Sequence, residues 1–363
     1  MTYKRRDFIK TGAGALVGLA AAPMVARGAQ AQQVHWRMTG AYPAGAPFYS
    51  AGPGSASDFA KRVEAASGGR MKIDFFPAGE LVPALGGFDA VRSGTVQMNW
   101  GNSFFWSGRS FAAQYFTAVP FGMDVMMVNA WLYHGGGQAL WDEVYADFGL
   151  KALPVGNTGM QMTGWFKKPL ENIDSFKGLR MRIAGLSAKV YEQLGVNVKV
   201  LPGGEIFPAL ERGVIDAAEF VGPYLDRQLG LQNAASNYYT PGWHEPSNVS
   251  ELLINASAWE QLPDDLKAVV QNCAAACNEI SFAWCNANNS EALNDLTQNQ
   301  GVTVRQLPDG VLPRLREVTM DTLSAEAAKD PMVAKVNTAY FDFMKTAKSW
   351  LDVSEKVVLN LDL

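Results

Sequence analysis

The sequence predicts an α/β protein of two similar lobes with a cleft between them, followed by a long helical C-terminal segment. Three observations carry this expectation. Short apolar strands alternate with helices over most of the chain, the pattern that lays parallel strands into a sheet with helices on its faces. Ala90-Val-Arg-Ser-Gly-Thr-Val-Gln-Met98 is echoed by Ala209-Leu-Glu-Arg-Gly-Val-Ile-Asp-Ala217, and Arg70-Met-Lys-Ile73 before the first by Arg180-Met-Arg-Ile183 before the second. A strand–helix–strand unit therefore occurs once in each half. Beyond residue 262 the pattern changes to long helices.

In chain order, residues 34–39 read as strand, 57–66 as helix, 70–76 as strand, 88–93 as helix and 96–100 as strand. Gly94 and Gly213 follow their helices where a left-handed cap is expected. A long helical pattern covers 126–147, and 151–155 and 160–166 are strand candidates. In Lys177-Gly-Leu-Arg-Met-Arg-Ile183, alternation of Leu179, Met181 and Ile183 reads as a half-buried strand with Arg180 and Arg182 on its other face. A long helix starts at Leu262-Pro-Asp-Asp, where Asp264 and Asp265 suit a helix amino end. Residues 301–307 read as strand. From 312 the chain is helical with a break at Asp330-Pro331. Val336, Tyr340, Phe343, Met344 and Trp350 recur at helical spacing, so this last face covers either the chain's own body or a partner subunit.

Residues 1–31 have the form of an export leader: a basic front with Arg5-Arg6, a short Gly/Ala-rich apolar run, and Ala29-Gln-Ala31 at the cut. The paired arginines point to the twin-arginine route. No later stretch offers ~18 unbroken apolar residues for a membrane span. The leader holds five basic residues and one acid, so the remainder carries −8 against −4 for the whole chain. Such an acidic protein is a poor partner for nucleic acid or an anionic membrane.

The chemical motifs are mostly negative. The three cysteines, Cys273, Cys277 and Cys285, lie in one helical stretch without a nearby histidine and read as small buried residues rather than a metal site. His134-Gly-Gly-Gly137 resembles an esterase oxyanion loop, but no Gly-x-Ser-x-Gly nucleophile turn accompanies it. The histidines, His35, His134 and His244, are not at metalloprotease spacing, and no phosphate loop is present. What remains is a binding constellation: Arg182, Glu219 in Asp216-Ala-Ala-Glu-Phe220, Glu245 in Gly242-Trp-His-Glu-Pro246, and Gln161. An arginine fork among carboxylates and aromatics suits a small carboxylate. Gln161, Glu219 and Glu245 supply hard oxygens suited to Na⁺ or Ca²⁺ rather than zinc. Arg182 leaves two glutamates and one bound carboxylate in excess by two negative charges, which a cation would relieve.

At these residues the chain resembles the substrate-binding proteins of tripartite ATP-independent periplasmic (TRAP) transporters, the DctP family. It is most similar to the 2-oxoacid and lactate branch. The resemblance is carried by Gly159-Met-Gln-Met-Thr-Gly-Trp-Phe166, Lys177-Gly-Leu-Arg-Met-Arg-Ile183, Pro208-Ala-Leu-Glu-Arg-Gly-Val-Ile-Asp-Ala-Ala-Glu219 and Tyr238-Tyr-Thr-Pro-Gly-Trp243. It implies a two-lobe periplasmic binding protein fold with a hinge, a receptor rather than an enzyme, and a membrane permease as partner. It places Arg182 on the carboxylate-binding arginine, and Gln161, Glu219, the backbone of Phe220 and Glu245 on the ligands of a bridging metal. Phe105, Trp106 and Phe220 are the expected apolar wall. Phe220 stands where the branch often has Trp, and Phe104-Phe-Trp106 where it often has Tyr. The branch also implies a homodimer built by C-terminal helices. The resulting division is a leader 1–31, a first lobe 32–155 to which later crossover segments return, a second lobe 156–250, crossover strands and helices 251–325, and a dimerising segment 326–363. The competing readings are a receptor for a dicarboxylate or aromatic acid, and a periplasmic carboxylate-dependent enzyme.

Overall fold

The computed structural model describes residues 33–361. The expected leader lies outside the described residues. The strands are β1 (Val34–Gly40), β2 (Met71–Phe76), β3 (Met98–Gly101), β4 (Leu150–Asn157), β5 (Gly164–Phe166), β6 (Arg180–Arg182), β7 (Asn197–Lys199), β8 (Ala217–Ala218), β9 (Asn237–Thr240), β10 (Val249–Asn255) and β11 (Thr303–Gln306). The helices are α1 (Ala56–Ala66), α2 (Gly87–Arg92), α3 (Val125–His134), α4 (Gly137–Ala146), α5 (Leu186–Gln193), α6 (Gly203–Glu211), α7 (Pro223–Leu229), α8 (Ala256–Glu260), α9 (Asp264–Gln298), α10 (Val311–Ala327), α11 (Pro331–Leu351) and α12 (Glu355–Leu359).

They form two sheets, in the orders β2-β1-β3-β10-β4 and β11-β9-β5-β8-β6-β7. The repeat foreseen from the sequence is present. Each lobe has a parallel three-strand unit with its first strand in the middle: β1, β2 and β3 in one, β6, β7 and β8 in the other. The helix–Gly–strand echo matches α2–β3 with α6–β8, and Gly94 and Gly213 both take left-handed φ, 74° and 72°. The upstream echo paired the wrong strands. Arg70-Met-Lys-Ile73 runs into the edge strand β2, whereas Arg180-Met-Arg-Ile183 holds the inner strand β6, whose topological counterpart is β1.

The sheets are mixed rather than purely parallel. β10 runs antiparallel to β3 and β4, and β5 antiparallel to β8 and β9. Both reversals mark places where the chain changes lobe: it leaves the first sheet after β4 and enters the second as β5, then leaves after β9 and returns as β10. The segments 158–163 and 241–248 are thus the two lobe crossings. α9 follows as a long brace, packed on β4 and α1 of the first lobe and on α7 of the second.

Each sheet is covered on both faces, which explains its apolar strands. Trp36, Met38, Phe59, Trp100 and Leu252 form one core of the first lobe, and Phe88, Phe116, Trp131, Trp141 and Leu253 the other. Met181, Ile183 and Tyr239 lie in one core of the second lobe, and Trp165, Ile206 and Tyr238 in the other. The three cysteines are buried and unpaired, as expected for small core residues.

One helical expectation changes and one is met. The continuous pattern at 126–147 is two helices parted at Gly135–Gly136, where the packing admits only glycine: a Cβ at Gly135 would lie 2.4 Å from Phe343 and one at Gly137 2.7 Å from Trp131. Gly136 turns the chain between them at φ 88°. The expected break at Asp330-Pro331 is present between α10 and α11: Asp330 caps α11, accepting from the Met332 and Val333 N–H groups, and proline occupies the first turn. α11 divides along its length. Val333, Val336 and Tyr340 are buried in the first lobe, and the Met123 N–H donates to the Tyr340 hydroxyl at 2.7 Å. Beyond it Trp350 and Leu359 are 68% and 83% exposed.

Candidate functional site

The two lobe crossings and the carboxyl ends of β6 and β8 meet in one place. Open α/β sheets bind ligands beyond the carboxyl ends of their strands. Arg182 is the last residue of β6 and Glu219 the first after β8. Neighbouring parallel strands set them side by side, since the Glu219 N–H donates to the Arg182 carbonyl at 3.1 Å. Gln161 comes from the first crossing and Glu245 from the second. The crossings touch: the Gln161 N–H donates to the Glu245 carbonyl at 3.2 Å. A Cβ at Gly242 would sit 2.0 Å from the Gln161 carbonyl oxygen, so only glycine lets the strands pass this close.

Arg180 and Arg182 share a strand face but not an environment. Arg180 is exposed and forks onto Asp216, with Nε at 2.8 Å and Nη2 at 2.5 Å. Arg182 is buried. Its Nη1 donates to the Glu219 carbonyl at 2.5 Å and to Glu219 Oε2 at 3.1 Å, while Nε donates to the Leu201 carbonyl at 3.3 Å. Among the described residues Nη2 has no hydrogen-bond partner, so one arm of the fork is uncommitted.

Around it are acceptors without donors. Glu219 Oε1 and Gln161 Oε1 are buried and make no hydrogen bond. Gln161 Nε2 is tied to Thr158 Oγ1 at 3.1 Å, which orients the amide and leaves its oxygen free. Burial pushes Glu219 up to about 8, only partly opposed by Arg182. It pushes Glu245 up to about 8 as well, with Glu219 adding to the rise. Two carboxyls resisting ionisation beside one arginine mark a site short of positive charge. Among the described residues no group of three or more His, Cys, Asp or Glu side chains is gathered to hold a metal. The oxygen set here is two carboxylates, an amide and backbone carbonyls, and the orphaned oxygens of Gln161 and Glu219 fit a hard cation.

The walls come from both lobes. Phe105 and Phe220 join Tyr42, Tyr49 and Leu225 in one cluster, with Tyr42 and Tyr49 stacked at 3.5 Å and the Tyr49 and Phe220 rings tilted, their centroids 6.0 Å apart. The lobes are closed upon each other: a Cβ at Gly185, the N-cap of α5, would lie 3.6 Å from Phe104 and 3.7 Å from Glu245 Oε1. Trp106 is not brought to this wall. It packs into the first-lobe core beside Phe88, and its indole N–H donates to Glu251, so it backs Phe105 instead.

Sequence reasoning missed a polar relay from the wall to the carboxylates. The Tyr42 hydroxyl donates to Asn102 Oδ1 at 2.7 Å, Asn102 Nδ2 to Asn248 Oδ1 at 2.8 Å, and Asn248 Nδ2 to Glu245 Oε2 at 2.5 Å. It also missed His244, which is buried with neither ring nitrogen hydrogen-bonded, and whose Nε2 lies 3.4 Å from Glu219 Oε1. Burial pushes His244 down to about 4, so it is a neutral imidazole. Its place immediately before Glu245 in the second crossing was the available signal.

Two lobes, two crossings and a buried arginine in the cleft define a solute-binding protein that closes over a small anion. Residues 50–330 match the family model described as bacterial extracellular solute-binding protein, family 7 (DctP). The chain belongs to that family, whose members are transport receptors and not enzymes. It is 39% identical over 97% of both chains to a monocarboxylate 2-oxoacid-binding periplasmic protein of a Nostoc species. A TRAP solute-binding protein from Pseudoalteromonas atlantica with bound sodium and pyruvate superposes with a TM-score of 0.87 at 34% identity, covering 90% of this chain and 99% of that one. Another from Bordetella bronchiseptica, a mixed-occupancy dimer with calcium and picolinate in one site, gives 0.87 at 33% identity, covering 91% and 97%.

Proposed function

We propose that this chain is the periplasmic receptor of a TRAP transporter, and that it captures a small 2-oxo or 2-hydroxy monocarboxylate together with Na⁺ or Ca²⁺ for delivery to the membrane permease. One observation carries the reading: the buried Arg182 has no hydrogen bond at Nη2, and the buried oxygens Gln161 Oε1 and Glu219 Oε1 have no donor. Arg182 Nη2 takes the ligand carboxylate. Gln161, Glu219, the Phe220 carbonyl and Glu245 hold the cation, which when bound supplies positive charge against the two carboxylates and a seat for the acid's oxygens. Glu219 binds Arg182 through Oε2 and keeps Oε1 for this purpose. Phe105, Phe220, Tyr42 and Tyr49 exclude water and size the tail, while Trp106 stiffens the wall from behind. The ligands of the Pseudoalteromonas and Bordetella proteins support both the acid class and the cation.

The aromatic wall and the Bordetella protein's picolinate favour one second reading, an aromatic 2-carboxylate, at the same arginine. A dicarboxylate would need a second cation-bearing side chain, and Arg180 is bound outside the cleft to Asp216. The permease, export by the twin-arginine route and a homodimer through the exposed end of α11 and α12 complete the proposal. Calorimetric titration of the ligand-stripped protein with pyruvate, with and without calcium, tests it. Cation-dependent binding supports the reading, and binding indifferent to cations removes the metal from it.

A further inference from the structure

The Phe220 carbonyl is a proposed cation ligand, yet a backbone oxygen coordinates well only if its peptide plane is held. Phe220 lies in a short connection between β8 and α7 with no ladder of its own. Its neighbours are committed: the Glu219 carbonyl accepts from Arg182, and the Val221 carbonyl from the Met162 N–H at 2.9 Å. Among the described residues no donor reaches the Phe220 carbonyl. The same peptide unit contains the Val221 N–H, and it donates to Asp226 Oδ1 at 3.0 Å. A trans peptide places its N–H and C=O on opposite sides. Holding the N–H therefore aims the carbonyl away from Asp226.

Asp226 is itself fixed. It lies on α7, buried, with Oδ2 accepting from Trp165 Nε1 at 2.8 Å and from the Tyr238 hydroxyl at 2.7 Å. Trp165 and Tyr238 are register partners on β5 and β9 and stack at 4.0 Å. One carboxylate oxygen thus grips the sheet and the other grips the peptide. We infer that Asp226 is a positioning residue, which anchors the Val221 N–H to the second sheet and so fixes the Phe220 carbonyl as a cation ligand. This rests on the cation reading above.

The test compares Asp226→Ala with a control, Trp165→Phe combined with Tyr238→Phe, which strips the Oδ2 partners but leaves the Val221 bond. Calcium is titrated at fixed pyruvate, and exchange of the Val221 amide is followed in metal-free protein. Asp226→Ala should raise the half-saturating calcium concentration by about 10- to 100-fold and lose Val221 protection, while the control, which keeps the Val221 bond but frees its anchor, should shift both by much less. Equal shifts in the two variants would mean general loosening and overturn the inference, as would a wild-type calcium requirement in Asp226→Ala. If the wild type binds pyruvate without regard to cations, the cation reading and this inference fall together. Should Asp226→Ala not fold, Asp226→Leu added to the control leaves an apolar cluster free of orphaned donors at Oδ2, and the same comparison decides.

Discussion

Arg182 Nη1 donates to both the carbonyl and the carboxylate of Glu219, at 2.5 and 3.1 Å. The cationic anchor of the cleft and its principal acid are thus one unit, built by adjacent strands β6 and β8. The pairing spends one arm of the guanidinium and half of the carboxylate. On the proposed reading, the other arm and the other oxygen are left for the ligand and its cation.

Arg182→Lys should retain the fold and lose carboxylate affinity by at least about tenfold, because an ammonium cannot hold Glu219 and a ligand as a planar fork does. Calorimetry alongside circular dichroism measures this. Binding at wild-type affinity would displace Arg182 from the role.

Glu219→Gln should raise the calcium needed for half-maximal pyruvate binding by about 10- to 100-fold. Excess calcium should restore much of the binding. A loss that no calcium concentration relieves would assign Glu219 to Arg182 alone.

Gly242→Ala should be costly far beyond a surface glycine. The added methyl would stand 2.0 Å from the Gln161 carbonyl, so the two crossings must part. Overpacking of this kind costs about 1–3 kcal/mol or more, and the displacement of Gln161 should weaken binding as well. Thermal unfolding and pyruvate titration read the two effects. A variant with unchanged Tm and affinity would show that the crossings need no close contact.

Glu251, on β10 of the first sheet, gives a pH signature of its own. It accepts from Ser103 Oγ at 2.7 Å, from the Tyr145 hydroxyl at 2.9 Å and from Trp106, yet burial pushes it up from 4.5 to about 7. Between those values the folded state holds a proton that the unfolded chain has released, so stability falls as pH rises through the window. The shift corresponds to roughly 3 kcal/mol. Glu251→Gln removes it: the stability of wild type relative to the variant should decline from pH 4.5 to 7.5 in denaturant melts. A constant difference would contradict the buried, protonated carboxyl.

The end of α11 and α12 predicts the assembly. Truncation before Val333 would strip Val333, Val336 and Tyr340 out of the first-lobe core. Trp350→Ser with Leu359→Ser alters only exposed apolar residues. That variant should be monomeric in light scattering and keep its Tm. A persisting dimer would move the interface elsewhere.

Much of this architecture was legible where chemistry and periodicity coincide locally. Strand alternation around Met181, helix caps at Gly94 and Gly213, and the Arg182, Glu219 and Glu245 motifs all lie within short windows. What was not legible depends on distant partners. Nothing near Trp106 announces that its indole N–H will find Glu251, and Phe104-Phe-Trp reads as one aromatic wall until that bond turns the third ring inward. The Asn102–Asn248 link joins segments on either side of the second lobe, and neither asparagine is unusual in its own context. The antiparallel entry of β5 and β10 follows from the chain changing lobes, which local strand patterns do not encode.

Thermal unfolding of the ligand-stripped protein against pyruvate, lactate and succinate, each with and without Na⁺ or Ca²⁺, tests the central claim most directly. Ligand at ~100 times its dissociation constant should add about 2.7 kcal/mol, a rise of several degrees in Tm. The account predicts that rise for the 2-oxo or 2-hydroxy monocarboxylate, only with a cation present. A rise with succinate alone, or the same rise in a buffer free of both Na⁺ and Ca²⁺, would contradict it.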